Sequence, residues 1–274
     1  MKKFKIIVDS SSDLSSDAIV DEEIDFEVVP LTIHIEDKEF IDTDTLDTKE
    51  MLEAMHASST KSTTSCPSPG SFLESYSAPF NFCVTITSKL SGTYNSAKVA
   101  SEMSENACFV IDSMATSGSM ALIVDELVRL IKKGYDFEKI CKEIIAFRDQ
   151  LHLLFVLDRF DNLVKNGRMS RITSIIAGVL HVKPLCEAQD GEIKVAEKPR
   201  TRKLAFQRLV DGIGERIQNF KERTCIITYC ENEELGLELQ DKIRSKYDFK
   251  EVIVRKMHGL ASFYALENGV IVCF

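Results

Sequence analysis

The chain has 274 residues, 44% of them hydrophobic, enough for one large core or two ordinary ones, and this argues against a disordered protein. Its formal net charge of −9 argues against a non-specific binder of nucleic acid or of an anionic membrane.

Taken in order, the basic start Met1-Lys2-Lys3-Phe4-Lys5 is followed by an apolar run of only Ile6 to Val8. That run is too short for a signal peptide, and no later stretch approaches the length of a membrane span. A cytoplasmic protein without stable membrane insertion is predicted. Phe4 to Val8 reads as a first strand, buried on both faces of a parallel sheet. Asp9 to Asp13 is the turn after it, and Leu14 to Asp21 is predicted to be a short helix. Phe26 to Ile35 reads as a strand interrupted by Pro30, with Glu36 to Phe40 as a hairpin turn and return strand. Thr48 to Ala57 is an amphipathic helix capped by Asp47, with Met51, Leu52 and Met55 inward.

Thr63-Thr64-Ser65-Cys66-Pro67-Ser68-Pro69-Gly70 is dense in hydroxyls. Its prolines predict an irregular, rigid turn, since each fixes its own φ and restricts the residue before it. A helix follows near Phe72 to Tyr76. Cys83 to Thr87 reads as a strand that runs into Ser88-Lys89-Leu90-Ser91-Gly92-Thr93-Tyr94, a strand-to-helix turn before a helix from Thr93 to about Met103. Each turn alone also reads blandly, as a surface loop with a capping Ser68 or Ser71, or as an N-cap at Ser91 or Thr93. As a pair they suggest one anion site built from two turns.

Cys108 to Asp112 is a further strand. Ser117 to Lys133 is a long helix with Leu122, Leu127, Leu130 and Ile131 as its stripe, stopped by Gly134. Asp136 to about Gln150 is another helix. The strand–helix alternation predicts a parallel α/β domain over residues 1–150. The pattern then changes. His152 to Leu157 is a strand, Phe160 to Asn166 a short helix and Ile172 to Leu180 an apolar helix. Val182 to Glu187, Glu192 to Glu197, Cys225 to Cys230, Glu251 to Lys256 and Gly269 to Phe274 are strands, with helices at Arg202 to Lys221 and Glu234 to Tyr247. These predict a mixed α+β domain over residues 151–274; the family resemblance given below implies a ligand between the two domains.

Eight cysteines, none in a C-x-x-C pair and several in apolar runs, read as free thiols of a reducing compartment. The five histidines lack metal-ligand spacing, so no metal and no cofactor are predicted.

The two turns resemble those of the DegV family. Ile6-Ile7-Val8-Asp9-Ser10-Ser11-Ser12-Asp13-Leu14, Val110-Ile111-Asp112-Ser113, Asn166-Gly167-Arg168-Met169-Ser170 and Val182-Lys183-Pro184-Leu185 agree with it in family order, across nearly the whole chain. The resemblance implies a non-catalytic protein that binds a long-chain fatty acid; some members present that acid to a separate fatty acid kinase, which phosphorylates the carboxylate. It implies that Thr64 and Ser91 hold the carboxylate, with Ser65, Gly92, Thr93 and Arg168 as supporting head-group residues. Hydroxyls suit the task, because each hydrogen bond offsets part of the cost of desolvating a carboxylate.

The sequence departs from the family at Cys66, where glutamine is common, and in the tail, where a histidine is usual. Aligned on Gly269, Ser262 takes the histidine's place with Tyr264 two residues on; aligned from Met257, His258 does. The first register needs no gap and is preferred. Ile172, Ile175, Ile176, Val179 and Leu180 are candidates for lining the acyl tunnel, or ordinary core. Lys194, Lys198, Arg200, Arg202 and Lys203 form a basic patch that resembles the family surface facing an acidic kinase partner or ATP phosphates, and that also reads as a solvated face. An esterase or acyl-transfer enzyme built on Ser91, and a dihydroxyacetone-kinase-like module, are the competing readings.

Overall fold

A computed structural model describes residues 2–169 and 182–274. The expected helix Ile172 to Leu180, with its five tunnel candidates, and Ser170 lie outside the described residues.

The apolar run at the start forms β1 (Phe4–Asp9), buried at every position. It is central in a parallel sheet of order β2-β1-β6-β7, with β2 at Ile24–Val29, β6 at Phe80–Thr85 and β7 at Ala107–Asp112. Pro30 splits the expected Phe26 to Ile35 strand, and its second part, β3 (Thr32–Ile35), leaves for another sheet. There β3 pairs antiparallel with β4 (Lys38–Ile41) and β5 (Thr63–Ser65). The third sheet is mixed, of order β10-β9-β8-β13-β11-β12. Its strands are β8 (Leu153–Val156), β9 (Leu185–Gln189), β10 (Glu192–Glu197), β11 (Thr224–Tyr229), β12 (Glu251–Lys256) and β13 (Val270–Cys273). The parallel sheet thus belongs to the first half of the chain and the mixed sheet to the second, an α/β architecture. One hydrophobic core, which includes Ile6, Phe82, Leu127, Phe155 and Phe263, runs through both. The helix Gly118–Lys132 lies between the sheets, and a Cβ at Gly118 would stand 2.9 Å from Ile226 Cγ2.

Helix caps follow the local chemistry. Asp47 accepts from Lys49 N and Glu50 N, Asp136 from Lys139 N, and Thr201 from Leu204 N. Three expectations need correction. Leu14 to Asp21 is not helical: Asp13 turns left-handed (φ 55°), Ser16 donates to Asp44, and Asp21 accepts from Glu23 N and Ile24 N. Short polar side chains there bind backbone that a helix would need. The Thr63 to Gly70 stretch is not wholly irregular. Thr63–Ser65 is a strand, and Pro69 opens the helix Pro69–Ser75 at a position where a missing N–H costs nothing, with Ser68 capping Ser71 N. The helix Arg202–Arg216 ends before Lys221, and the tail holds an unforeseen helix, Gly259–Ala265.

That last helix is held from across the molecule. Asp42 accepts from Gly259 N (2.7 Å) and Leu260 N (2.9 Å), and Asp13 accepts from His258 N (2.8 Å). All three carboxylates at this end of β1 are buried. Asp9 binds Ser11 and, at 2.7 Å, Ile86 N. Burial, ahead of every other cause, pushes Asp9 up to about 6 and Asp13 up to about 7, and raises Asp42 as well.

Asp13 therefore holds its proton more tightly folded than unfolded. The stability this contributes is complete below its ordinary value of 3.8 and is lost as pH rises through about 7. Asp13→Asn keeps an acceptor for His258 N and removes the titration. Between about pH 5 and about pH 8 the wild type should lose on the order of 2 kcal/mol more stability than Asp13→Asn. Urea midpoints at the two pH values check this; parallel losses in the two proteins would refute it.

Candidate functional site

Between the sheets lies a cavity of about 870 Å³, its mouth included. Its walls come from the turns after β2 (Leu31), β6 (Ile86, Leu90) and β7 (Ala115). Opposite stand Leu153, Phe155, Ala188 and Ile271 of the mixed sheet, and Leu260 and Ala261 of the Gly259–Ala265 helix. A parallel sheet offers this crevice at the carboxyl ends of its strands, where the chain must turn and the helices leave room.

Few polar groups line the cavity, and some are tied elsewhere. The Thr87 hydroxyl donates to Gly191 O (3.1 Å) and the Thr116 hydroxyl to Ser11 O (3.2 Å). Glu192 pairs with Lys194 at 2.5 Å. Thr64, Ser91, Arg168 and Tyr264 remain, and they form a linked group. Thr64 Oγ1 and Tyr264 Oη share a 2.9 Å hydrogen bond. Arg168 sits 6.0 Å from the Tyr264 ring centroid and donates through Nε to Leu90 O (3.1 Å), next to Ser91. Arg168 Nη1 donates to Asn166 O at 2.6 Å. The two turns also touch directly, since a Cβ on Gly92 would lie 3.2 Å from Cys66 Sγ. Thr64 and Ser91 are both half-buried, so this end of the cavity is reachable from solvent.

The structure thus gathers Thr64, Ser91, Arg168 and Tyr264 at one cavity. Thr93 supports them by a 2.9 Å hydroxyl–hydroxyl bond to Ser91, and Gly92 is the N-cap of the helix Thr93–Met103. Two predicted residues point elsewhere. Ser65 shares a 2.8 Å bond with His34 Nε2, because successive strand residues face opposite ways and Thr64 faces the cavity. Ser262 is fully buried and donates to Met257 O (3.2 Å). Two residues apart on a helix are about 200° apart, so Tyr264 and Ser262 cannot share a face. His258 precedes the helix and binds Asp13 through its backbone N–H.

Leu260, Ala261 and Ala265 were missed as lining residues. Their spacing with Tyr264 (260, 261, 264, 265) is a helical stripe, and that was the available signal. Of the basic patch, Lys198, Arg200 and Lys203 are exposed, while Arg202 pairs with Asp158.

No helix among the described residues is long and apolar enough to cross a membrane, and no metal-binding group of His, Cys, Asp or Glu occurs among them.

A family model described as an uncharacterised protein of the DegV family matches residues 3–273. A DegV domain-containing protein of Streptococcus pyogenes serotype M1 is 37% identical, over 98% of each chain. The X-ray structure of the Streptococcus pneumoniae fatty acid kinase B3 protein, loaded with linoleic acid, superimposes with a TM-score of 0.93 at 33% identity, covering 100% of this chain and 99% of that one. A DegV-family structure from Ruminococcus gnavus, refined with vaccenic acid, gives a TM-score of 0.92 at 30% identity, with the same coverage.

Cys66 is the exposed thiol at the rim of this site, whereas Cys83, Cys186, Cys225, Cys230 and Cys273 are buried. Burial pushes Cys186, Cys230 and Cys273 up to about 12. Brief iodoacetamide treatment of the native protein, mapped by peptide mass spectrometry, should label Cys66 and spare those five until the protein is unfolded. Comparable labelling of Cys186 or Cys273 would contradict the packing described.

Proposed function

The chain belongs to the DegV family, and on that premise we propose that it is a non-catalytic carrier of one long-chain fatty acid. The observation that supports this most is the distribution of polarity in the cavity: aliphatic walls, with the hydroxyls of Thr64, Ser91 and Tyr264 and the Arg168 guanidinium gathered at one end. An amphipathic chain with a single anionic head matches that distribution.

The acyl tail supplies the affinity, at about 0.8 kcal/mol for each methylene removed from water. The head supplies orientation. When Tyr264 is the donor in its bond to Thr64 Oγ1, the Thr64 proton is left for one carboxylate oxygen. Ser91 serves the other oxygen, with Thr93 as its hydroxyl neighbour. The Arg168 cation beside them favours the ionised acid. A carboxylate held at a half-buried rim is open to a second protein, and we assign that role to a fatty acid kinase that phosphorylates it. The exposed Lys198, Arg200 and Lys203 offer an acidic partner a complementary surface.

Ser91 shares its hydroxyl bond with Thr93, another hydroxyl and not a base. That arrangement favours holding a carboxylate over attacking an ester.

Mass spectrometry of solvent-extracted protein should release a near-stoichiometric long-chain acid. Protein that is empty and takes up no added acid would overturn the carrier reading. Thr64→Ala combined with Ser91→Ala should weaken retention at least about tenfold while the circular dichroism spectrum stays native, since two charge-assisted bonds are lost. Tyr264→Phe, which removes only the bond that orients Thr64, should weaken retention by roughly three- to tenfold.

A further inference from the structure

The helix Gly259–Ala265 is fixed at its start by Asp42 and Asp13, yet the residue that reaches Thr64 sits near its other end. A segment held at one point can still swing about that point. Its second attachment is Asn162, on the short helix Asp161–Lys165. Asn162 is buried and donates through Nδ2 to Phe263 O at 2.6 Å, with Met55 Sδ 2.9 Å from the same nitrogen. The last four carbonyls of a helix have no partner within it, and the chain leaves this helix at Leu266, where φ is 56°. The Asn162 amide supplies one of the donors that the helix lacks there.

Phe263 O and Tyr264 Cα lie in one peptide plane. A hydrogen bond to that oxygen therefore fixes the plane from which the Tyr264 side chain projects. It acts roughly 4.5 Å along the axis from Leu260, whose N–H Asp42 holds. Two attachments that far apart set both the rotation and the tilt of the helix. Burying an amide is costly unless it is hydrogen-bonded, and only a donor can meet a carbonyl. A leucine at this position would leave Phe263 O unmet.

The stretch that begins at Asn162 braces the other head-group residues in the same way. Asn166 donates through Nδ2 to Ser62 O (3.3 Å), just ahead of the strand that carries Thr64, and to Asn162 O (3.0 Å). Arg168 donates to Leu90 O (3.1 Å), the oxygen of the peptide plane that holds Ser91 Cα. Thr64, Ser91 and Tyr264 come from distant parts of the chain. One stretch, Asn162 to Arg168, bonds to backbone close to each of them.

We infer that Asn162 is a positioning residue for the carboxylate end of the site and that it acts through Tyr264. This rests on the fatty-acid reading of the cavity. Asn162 is not among the residues that line the cavity, so its effect on a ligand passes through the helix it holds. Loss of its bond lets the phenol drift from Thr64. The hydroxyls then meet a carboxylate less well, while the aliphatic walls stay as they are. A fatty acid loses affinity, and an uncharged ligand with the same chain does not.

The test is displacement of a fluorescent fatty acid from the delipidated full-length protein by palmitic acid and by methyl palmitate. In Asn162→Leu, palmitic acid should bind roughly three- to tenfold more weakly while the ester changes by less than about twofold. In the double variant with Tyr264→Phe, the acid should bind within about twofold of Tyr264→Phe alone, because both changes break one chain of contacts. Equal weakening of acid and ester would mean that Asn162 only supports the fold, and effects that multiply would mean that it does not act through Tyr264. Either overturns the proposal, as does unchanged affinity for the acid, and each leaves the carrier reading standing. A wild-type protein that binds neither ligand overturns the carrier reading and the proposal together; one that binds both alike overturns the head-group assignment and, with it, the proposal. Should Asn162→Leu not fold, Asn162→Ser, which leaves room for a water on Phe263 O, is read by the same comparison. Should neither fold, Tyr264→Phe decides: a fall of roughly three- to tenfold in its preference for acid over ester supports the proposal, and an unchanged preference overturns it.

Discussion

Asp42 and Asp13 hold the start of a seven-residue helix, a length too short to form on its own in water. The Asp42 bonds join positions 217 and 218 apart in sequence. Burying a carboxylate is costly, and here the cost is offset by backbone N–H groups that would otherwise be unsatisfied at a helix start. The geometry is close enough that Gly259 tolerates no side chain: a Cβ there would stand 2.7 Å from Asp42 Oδ1. Everything at the head of the cavity follows from this attachment. It sets the rotation of the helix, the rotation puts Tyr264 rather than Ser262 on the inner face, and Tyr264 in turn reaches Thr64.

An open apolar cavity in an otherwise close-packed protein forfeits contacts that packing would have made. Its walls resist collapse because β8, β9 and β13 are each paired on both sides and the helix Gly259–Ala265 is held at its start by Asp42 and Asp13. The polar atoms of these walls divide by what holds them. Thr87 and Thr116 spend their hydroxyls on backbone carbonyls rather than on the cavity. Thr64, Ser91, Tyr264 and Arg168 bond mainly among themselves and to the turn beside them, and so give the cavity a polar end. Direction in the site comes from that division and not from any single residue.

Much of the architecture was legible in the residues. The continuous apolar run Phe4 to Val8, the capping aspartates at 47 and 136 and the helix Thr93 to Met103 came from local periodicity and capping chemistry. Failures were local too. The Leu14 to Asp21 stretch gives no helix because Asp44 takes the Ser16 N–H and Asp21 the N–H groups of Glu23 and Ile24, and Pro69, by type a breaker, sits where it opens a helix. The family resemblance singled out Thr64 and Ser91, which the fold brings to one cavity, whereas composition alone left each turn open to a bland reading.

Most element types, the α/β class and the pair of hydroxyl-rich turns are written in the residues, because these depend on side-chain period, proline and glycine constraints and capping, all of which act within a few residues. Which hydroxyls face the cavity is set by long-range contacts. Ser65 against Thr64 is settled by strand alternation in a sheet whose register β3 sets, and Ser262 against Tyr264 by a helix rotation that Asp42 sets from a distant loop. Those are long-range hydrogen bonds and packing contacts, and no local pattern in the chain encodes their partners.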